Sequence, residues 1–225
     1  MHERPPKTAL ERLHLLAGVG LAAAALVAVL VVISTSGGNG DALRPGRPVP
    51  GARAAHALLD GVPQRAITLG DPHAPITLVE FADLQCPFCR AYAQNTLPGL
   101  VRELVRPGRV QMVFRDVASL GPDSVRAAAA AAGAGRVGRL WQFAAIFYAN
   151  QGIENSGYVT GSFLGQVSRA AGAPLTFADP DLQTTRMLAR RYGLQSTPSF
   201  LLGRTGGTLH EVSEGDIRSG VAALR

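Results

Sequence analysis

The chain has 225 residues, 47% of them hydrophobic and 17% charged, with a formal net charge of +6 and only two cysteines, Cys86 and Cys89. That length holds one medium domain plus an appendage and is too apolar for a disordered chain, while two cysteines cannot build a disulfide-stapled scaffold or a Cys-based zinc or iron-sulfur site. Half of the net charge sits in residues 1–53, no basic run is longer than the pair Arg190 and Arg191, and no aromatics are interleaved with bases, which argues against nucleic acid as a partner.

Residues 15–33, LLAGVGLAAAALVAVLVVI, contain no charge. As a helix they would extend about 28 Å, enough for a hydrocarbon core of about 30 Å. Arg4, Lys7 and Arg12 precede the run, so the positive-inside tendency predicts a cytoplasmic segment 1–14, a membrane anchor 15–33 and an extracytoplasmic remainder. A cleaved signal peptide competes, because Ser34 and Ser36 are small residues of the cleavage-site kind. Residues 34–63 are rich in Gly and Pro at their start and read as a flexible linker.

A folded domain is expected from 64 to 225. Ala66–Leu69 offers a short strand, and Ile76–Phe81, ITLVEF, is a buried strand bounded by Asp71-Pro72 and Ala74-Pro75. A helix begins around Cys86–Cys89, with Pro87 at a first-turn position where its missing N–H is harmless. Pro98 restarts that helix, which runs on to Pro107-Gly108, and Val110–Phe114 is the next strand, completing a right-handed βαβ unit. Asp123 or Ser124 caps a helix over Ala127–Ala132, glycines 133, 135 and 138 interrupt it, and RLWQFAAIFYAN resumes it. Helices over Gly161–Ala171 and Asp181–Tyr192, a hairpin of Ser199–Leu202 with Thr208–Val212, and a last helix from Asp216 finish the chain. The fold class is therefore α/β. Gly133–Gly138, GAGRVG, matches a dinucleotide fingerprint in letters only, since it follows a helix rather than a strand.

Cys86-Pro87-Phe88-Cys89 carries the chemistry. Two intervening residues let both sulfurs meet within one helical turn, and the first lies nearest the helix N-terminus, where free amides and the macrodipole stabilise a thiolate. Cys86 is the expected nucleophile and Cys89 the resolving thiol, together forming a redox-active disulfide. A zinc site would need His56, His73 or His210, which show no metal spacing, and a structural bridge over so short a loop adds little stability. No cofactor or metal is expected. Glu80 puts a carboxylate inside an apolar run, which is costly unless the group is used or solvated at an edge.

The stretch LVEFADLQCPFC, the later Ser196-Thr197-Pro198-Ser199-Phe200 and the helical segment LWQFAAIFYANQ between them resemble DsbA-like thiol-disulfide oxidoreductases of the thioredoxin superfamily. The resemblance implies a thioredoxin fold, a mixed sheet flanked by helices, with a helical insertion over about 117–180 whose core includes Trp141, Phe143, Phe147 and Tyr148. It implies that Pro198 is a cis-proline, that Thr197 pairs with substrate backbone beside Pro87 and Phe88, and that Glu80 is a buried acid handling protons. It also implies oxidation of reduced secreted proteins and recycling by a membrane partner of the DsbB or vitamin-K-epoxide-reductase type. Phe88 departs from the histidine of the best-known DsbA members, which leaves a reductase or isomerase as the alternative. A non-catalytic peptide- or metal-binding module is the more remote one.

Overall fold

A computed structural model describes Leu43 and residues 47–224. The expected anchor 15–33 and most of the early linker lie outside the described residues. Among the described residues no helix is long and apolar enough to cross a membrane.

The chain first forms helix α1 (Ala52–Leu59), inside the segment expected to be linker. Its Ala55 and Leu59 are buried in the main core, Arg106 donates to the Leu58 and Asp60 carbonyls at 2.7 and 3.1 Å, and His56 Nε2 lies 2.8 Å from the Ala170 carbonyl oxygen. These contacts supply tertiary partners that composition cannot reveal.

Short strands β1 (Gln64–Arg65) and β2 (Thr68–Leu69) lead to β3 (Ile76–Ala82). Helix α2 (Pro87–Asn95) follows, then α3 (Leu97–Leu100), which continues as a π-helical turn over Val101–Val105. The expected restart at Pro98 is present, but the continuation is wider than an α-helix: the Arg106 amide bonds the Val101 carbonyl at 2.8 Å, and Val101, Leu104 and Val105 are all buried. Strand β4 (Val110–Asp116) lies parallel to β3.

Helices α4 (Pro122–Gly135), α5 (Leu140–Ala149), α6 (Gly161–Ala170) and α7 (Leu182–Arg191) come next. The expected break at Gly133 does not occur, and Gly121 rather than Asp123 or Ser124 occupies the cap of α4. Gly133 is a packing residue, because a Cβ there would come within 1.9 Å of the Thr176 carbonyl oxygen. Strands β5 (Ser199–Arg204) and β6 (His210–Val212), a 3-10 turn over Glu214–Asp216 and helix α8 (Ile217–Ala223) end the described chain.

The strands form one six-stranded sheet, ordered β1-β2-β4-β3-β5-β6, with β3 parallel to β4 and antiparallel to β5. Alternation along β3 sends Ile76, Leu78, Glu80 and Ala82 to the main core, and Val79 and Phe81 to the face covered by Leu188 of α7 and by Tyr192 just beyond its end. Trp141 and Phe114 meet edge-on at 5.8 Å, and Phe143, Phe147 and Tyr148 are buried in the same core. The sheet therefore presents the C-terminal end of β3, and the loop that follows it, to helix α2.

Candidate active site

Cys86 is the N-cap residue of α2, with Pro87 at the first helical position. The Cys89 amide donates to Cys86 Sγ at 3.4 Å, and in its neutral form the Cys86 thiol donates to the Thr197 carbonyl at 3.3 Å. The Thr197–Pro198 peptide bond is cis, and it faces the cysteine pair from the start of β5. Both cysteines are free and buried. Phe88 is 73% exposed and borders an open groove of about 580 Å³ that continues past Tyr92, Pro198, Phe200 and Val212 to Glu214.

The two thiols are electrically unlike. A hydrogen bond from the Cys89 thiol, a contact with Thr197, and the Cys89 and Phe88 amides together hold Cys86 at about 6, against 9.0 for an ordinary thiol. Burial, and its position as donor to Cys86, push Cys89 far up. A depressed pKa means that thiolate character is present above about 6 and is lost as pH falls through that value. Alkylation of the reduced protein by iodoacetamide is therefore expected to modify one thiol per chain with a midpoint near pH 6, followed by mass spectrometry across pH. A midpoint close to that of a free thiol, about 8.5, would contradict the helix-terminus account.

Glu80 is on the central strand and 1% exposed, so the solvated-edge reading of this residue does not hold. Its Oε2 has no protein hydrogen-bond partner. Desolvation, with a smaller contribution from the charge of Glu214, raises Glu80 from 4.5 to about 8. Asp116, which sits opposite Ala82 on β4, is also buried and held well up by desolvation and then by the charge of Asp83. Among the described residues no group of three or more His, Cys, Asp or Glu is arranged to hold a metal ion.

A second set of residues holds the cysteine loop and was not singled out by motif. Asp83 Oδ1 accepts from the Gln85 amide at 2.9 Å and from Ser124 Oγ at 2.6 Å, while Oδ2 accepts from the Ser119 and Leu120 amides at 2.7 and 3.1 Å. Tyr148 donates to the Asp83 carbonyl at 3.2 Å, and Gln151 donates to the Leu84 and Cys86 carbonyls at 2.8 and 3.1 Å. Gln85 is fixed in turn, donating to Ser124 Oγ and accepting from the Asn155 amide. The helical insertion is thus hydrogen-bonded to the backbone that presents Cys86. The one hint in the sequence is the pair of polar residues in FADLQC, which a buried loop can hold only if they are satisfied.

Fold and site together define a thioredoxin-fold protein with a C-x-x-C pair at a helix N-terminus opposite a cis-proline. A family model described as Thioredoxin, Thioredoxin_4, matches residues 63–211, and the chain belongs to that family. Residues of the chain are 33% identical over 99 positions to a probable disulfide bond formation protein D of Bacillus cereus, covering 43% of this chain and 46% of that protein. They are 28% identical over 104 positions to disulfide bond formation protein D of Bacillus subtilis, covering 45% and 47%. The chain thus spans about half the length of the curated relatives it matches. The fold is similar to that of oxidised BdbD from Bacillus subtilis, with a TM-score of 0.57 and 20% identity over 72% of this chain and 96% of that one. It is also similar to a thioredoxin-like oxidoreductase from Silicibacter pomeroyi, with a TM-score of 0.51 and 26% identity over 75% and 95%.

Proposed function

We propose that this protein is a thiol-disulfide oxidoreductase that introduces disulfides into reduced secreted proteins, working outside the cytoplasmic membrane to which residues 15–33 tether it. The observation that carries this reading is the placement of the pair, with Cys86 at the cap of α2, bonded by the Cys89 amide and facing the cis Thr197–Pro198 bond, which holds its thiol at about 6 while burial pushes Cys89 far up. The names of the Bacillus relatives, disulfide bond formation protein D, support it.

The mechanism follows from that asymmetry. A substrate thiolate attacks Cys86 of the Cys86–Cys89 disulfide and forms a mixed disulfide, while the electron pair of the broken bond leaves on Cys89. Cys89 is a poor thiolate in its buried site and must take a proton. Glu80, raised to about 8, is protonated at neutral pH and donates it. A second substrate thiolate then attacks the substrate sulfur of the mixed disulfide and expels Cys86, whose low pKa makes it the better leaving group. Thr197 and the adjoining Pro198 offer backbone for an extended substrate segment, with Pro87 and Phe88 at its side. A membrane redox partner of the DsbB or vitamin-K-epoxide-reductase type then restores the disulfide.

Phe88 carries no charge and leaves the stabilisation of Cys86 to the helix terminus and its neighbours, which is the observation favouring the alternative direction, a reductase or isomerase. The equilibrium reduction potential against glutathione decides between them. A thiolate stabilised to about 6 predicts a value between about −200 and −120 mV, together with oxidation of a two-cysteine peptide. A value at or below about −270 mV, the range of thioredoxin, would make the protein a reductase.

A further inference from the structure

Glu80 has a place in the chemistry of the cysteine pair, whereas Asp116, the other buried acid of the sheet, has none. Alternation along β4 puts Asp116 in line with Val110, Met112 and Phe114, on the face that packs into the main core. It is only 6% exposed. Its Oδ1 accepts from the Ala118 amide at 3.0 Å, and among the described residues its Oδ2 has no hydrogen-bond partner. Burial keeps the proton on this carboxyl, and because Oδ1 is already the acceptor, Oδ2 carries the hydroxyl, a donor with nothing to receive it. Leu would continue the apolar row without that cost.

Asp116 lines a cavity of about 290 Å³ between the end of β4, helix α4 and residues 178–181. Phe114, Ala128, Ala131 and Leu140 of its wall are all buried, so the cavity reaches into the apolar interior. Its edges are fixed. The Ala178 amide donates to the Ala129 carbonyl at 3.0 Å, and Arg115 pairs with Asp181 at 3.6 Å. At the other end α4 closes on the turn between β1 and β2, where a Cβ on Gly135 would stand 3.0 Å from the Ala66 carbonyl oxygen. None of the lining residues borders the groove beside Phe88.

The wall selects its occupant. The volume lies at the lower end for small-molecule sites and admits a ring or a short chain, but not a peptide or a nucleotide. A cation would require Asp116 to ionise beside the charge of Asp83, which opposes it. An anion would find Arg115 engaged by Asp181, and Arg136 exposed to solvent. Water could receive the Oδ2 proton but gains little from Phe114, Ala128, Ala131 and Leu140.

We propose that this cavity binds a small neutral carbonyl compound, an aryl or short alkyl ketone or ester, whose oxygen accepts from Asp116 Oδ2 and whose apolar part lies between Phe114 and α4. The site does not depend on the exchange chemistry proposed above. Asp116 Oδ1 holds the Ala118 amide, and the next two amides, of Ser119 and Leu120, bind Asp83 Oδ2, so occupancy is felt first in residues 116–120.

The test reads amide hydrogen exchange of the full-length chain in nanodiscs by mass spectrometry, as acetophenone is raised at free concentrations fixed by dialysis against empty nanodiscs. The comparison probe is α-methylstyrene, which has the same shape with a methylene group in place of the carbonyl oxygen. Acetophenone is expected to slow exchange in residues 116–120 and 178–181 with a half-effect at about 1 mM, and α-methylstyrene to need about tenfold more, the worth of one hydrogen bond. Asp116→Asn still donates through its amide nitrogen when its oxygen takes the Ala118 amide, so it is expected to keep that preference. Asp116→Leu is expected to lose it, both probes then acting at one concentration. Equal effects of the two probes on the parent, or a tenfold preference that survives in Asp116→Leu, would overturn the proposal. So would the absence of any effect of acetophenone at about 10 mM, which would leave water as the partner of Oδ2.

Discussion

A Glu80→Gln chain, compared with the parent with both thiols reduced, is expected to lose far less stability as pH rises from about 4.5 to about 8.5. In the parent the folded state holds a proton on Glu80 that the unfolded chain releases, because burial raises this carboxyl from 4.5 to about 8. A group raised on folding contributes stability that is fully present below its unfolded value and is lost as pH climbs through its folded one. A rise of that size corresponds to a difference on the order of 5 kcal/mol, at about 1.4 kcal/mol per pH unit. Gln has the shape of the protonated acid and cannot ionise, so its curve lacks this descent. Asp116, also raised by burial, titrates in both chains and cancels in the comparison. Urea unfolding at a series of pH values reads the effect, and parallel curves for the two chains would show that Glu80 is solvated in a way its burial does not suggest.

The conflict of a carboxylate inside ITLVEF was visible in the sequence, and so was much of the frame around it. Short continuous apolar runs rich in β-branched and aromatic residues mark Ile76–Phe81 and Val110–Phe114, which the structure extends to Ala82 and Asp116, because an inner strand leaves its pattern in its own residues. Cys86 and Pro87 at the start of α2 are equally local, since a cap and a first-turn proline are written in adjacent positions. What escaped is held by partners distant in the chain. Helix α1 exists because Arg106 and Ala170 receive it, 46 and 114 residues away. Gly133 looks like a helix break until Thr176 is found against it. Asp83 reaches across 36 to 41 residues to Ser119, Leu120 and Ser124, and nothing periodic marks those acceptors and donors as one network.

Asp83→Ala is expected to destabilise the domain by about 3 to 5 kcal/mol and to move the reactivity of Cys86 with it. The carboxylate accepts from three backbone amides, those of Gln85, Ser119 and Leu120, and from the Ser124 hydroxyl, at 2.6 to 3.1 Å. Alanine leaves all four donors without this acceptor; those of Gln85 and Ser124 are buried, where each orphan costs about 1 to 3 kcal/mol, while the part-buried Ser119 and Leu120 amides can turn to water at smaller cost. Asp83→Asn keeps one carbonyl oxygen and should lose roughly half as much, which separates hydrogen bonding from side-chain volume. The chemical consequence runs through the backbone. The Cys86 amide donates to the Asp83 carbonyl at 3.0 Å, so slack in this turn shifts the N-cap sulfur relative to the Cys89 amide that stabilises it. The alkylation midpoint of Cys86 is therefore expected to rise from about 6 toward 9.0, in the order parent, Asp83→Asn, Asp83→Ala. Denaturant unfolding and iodoacetamide kinetics on the three chains measure both effects. A stability loss below about 1 kcal/mol with an unmoved midpoint would mean that helix α2 alone positions the nucleophile and that the insertion only covers it.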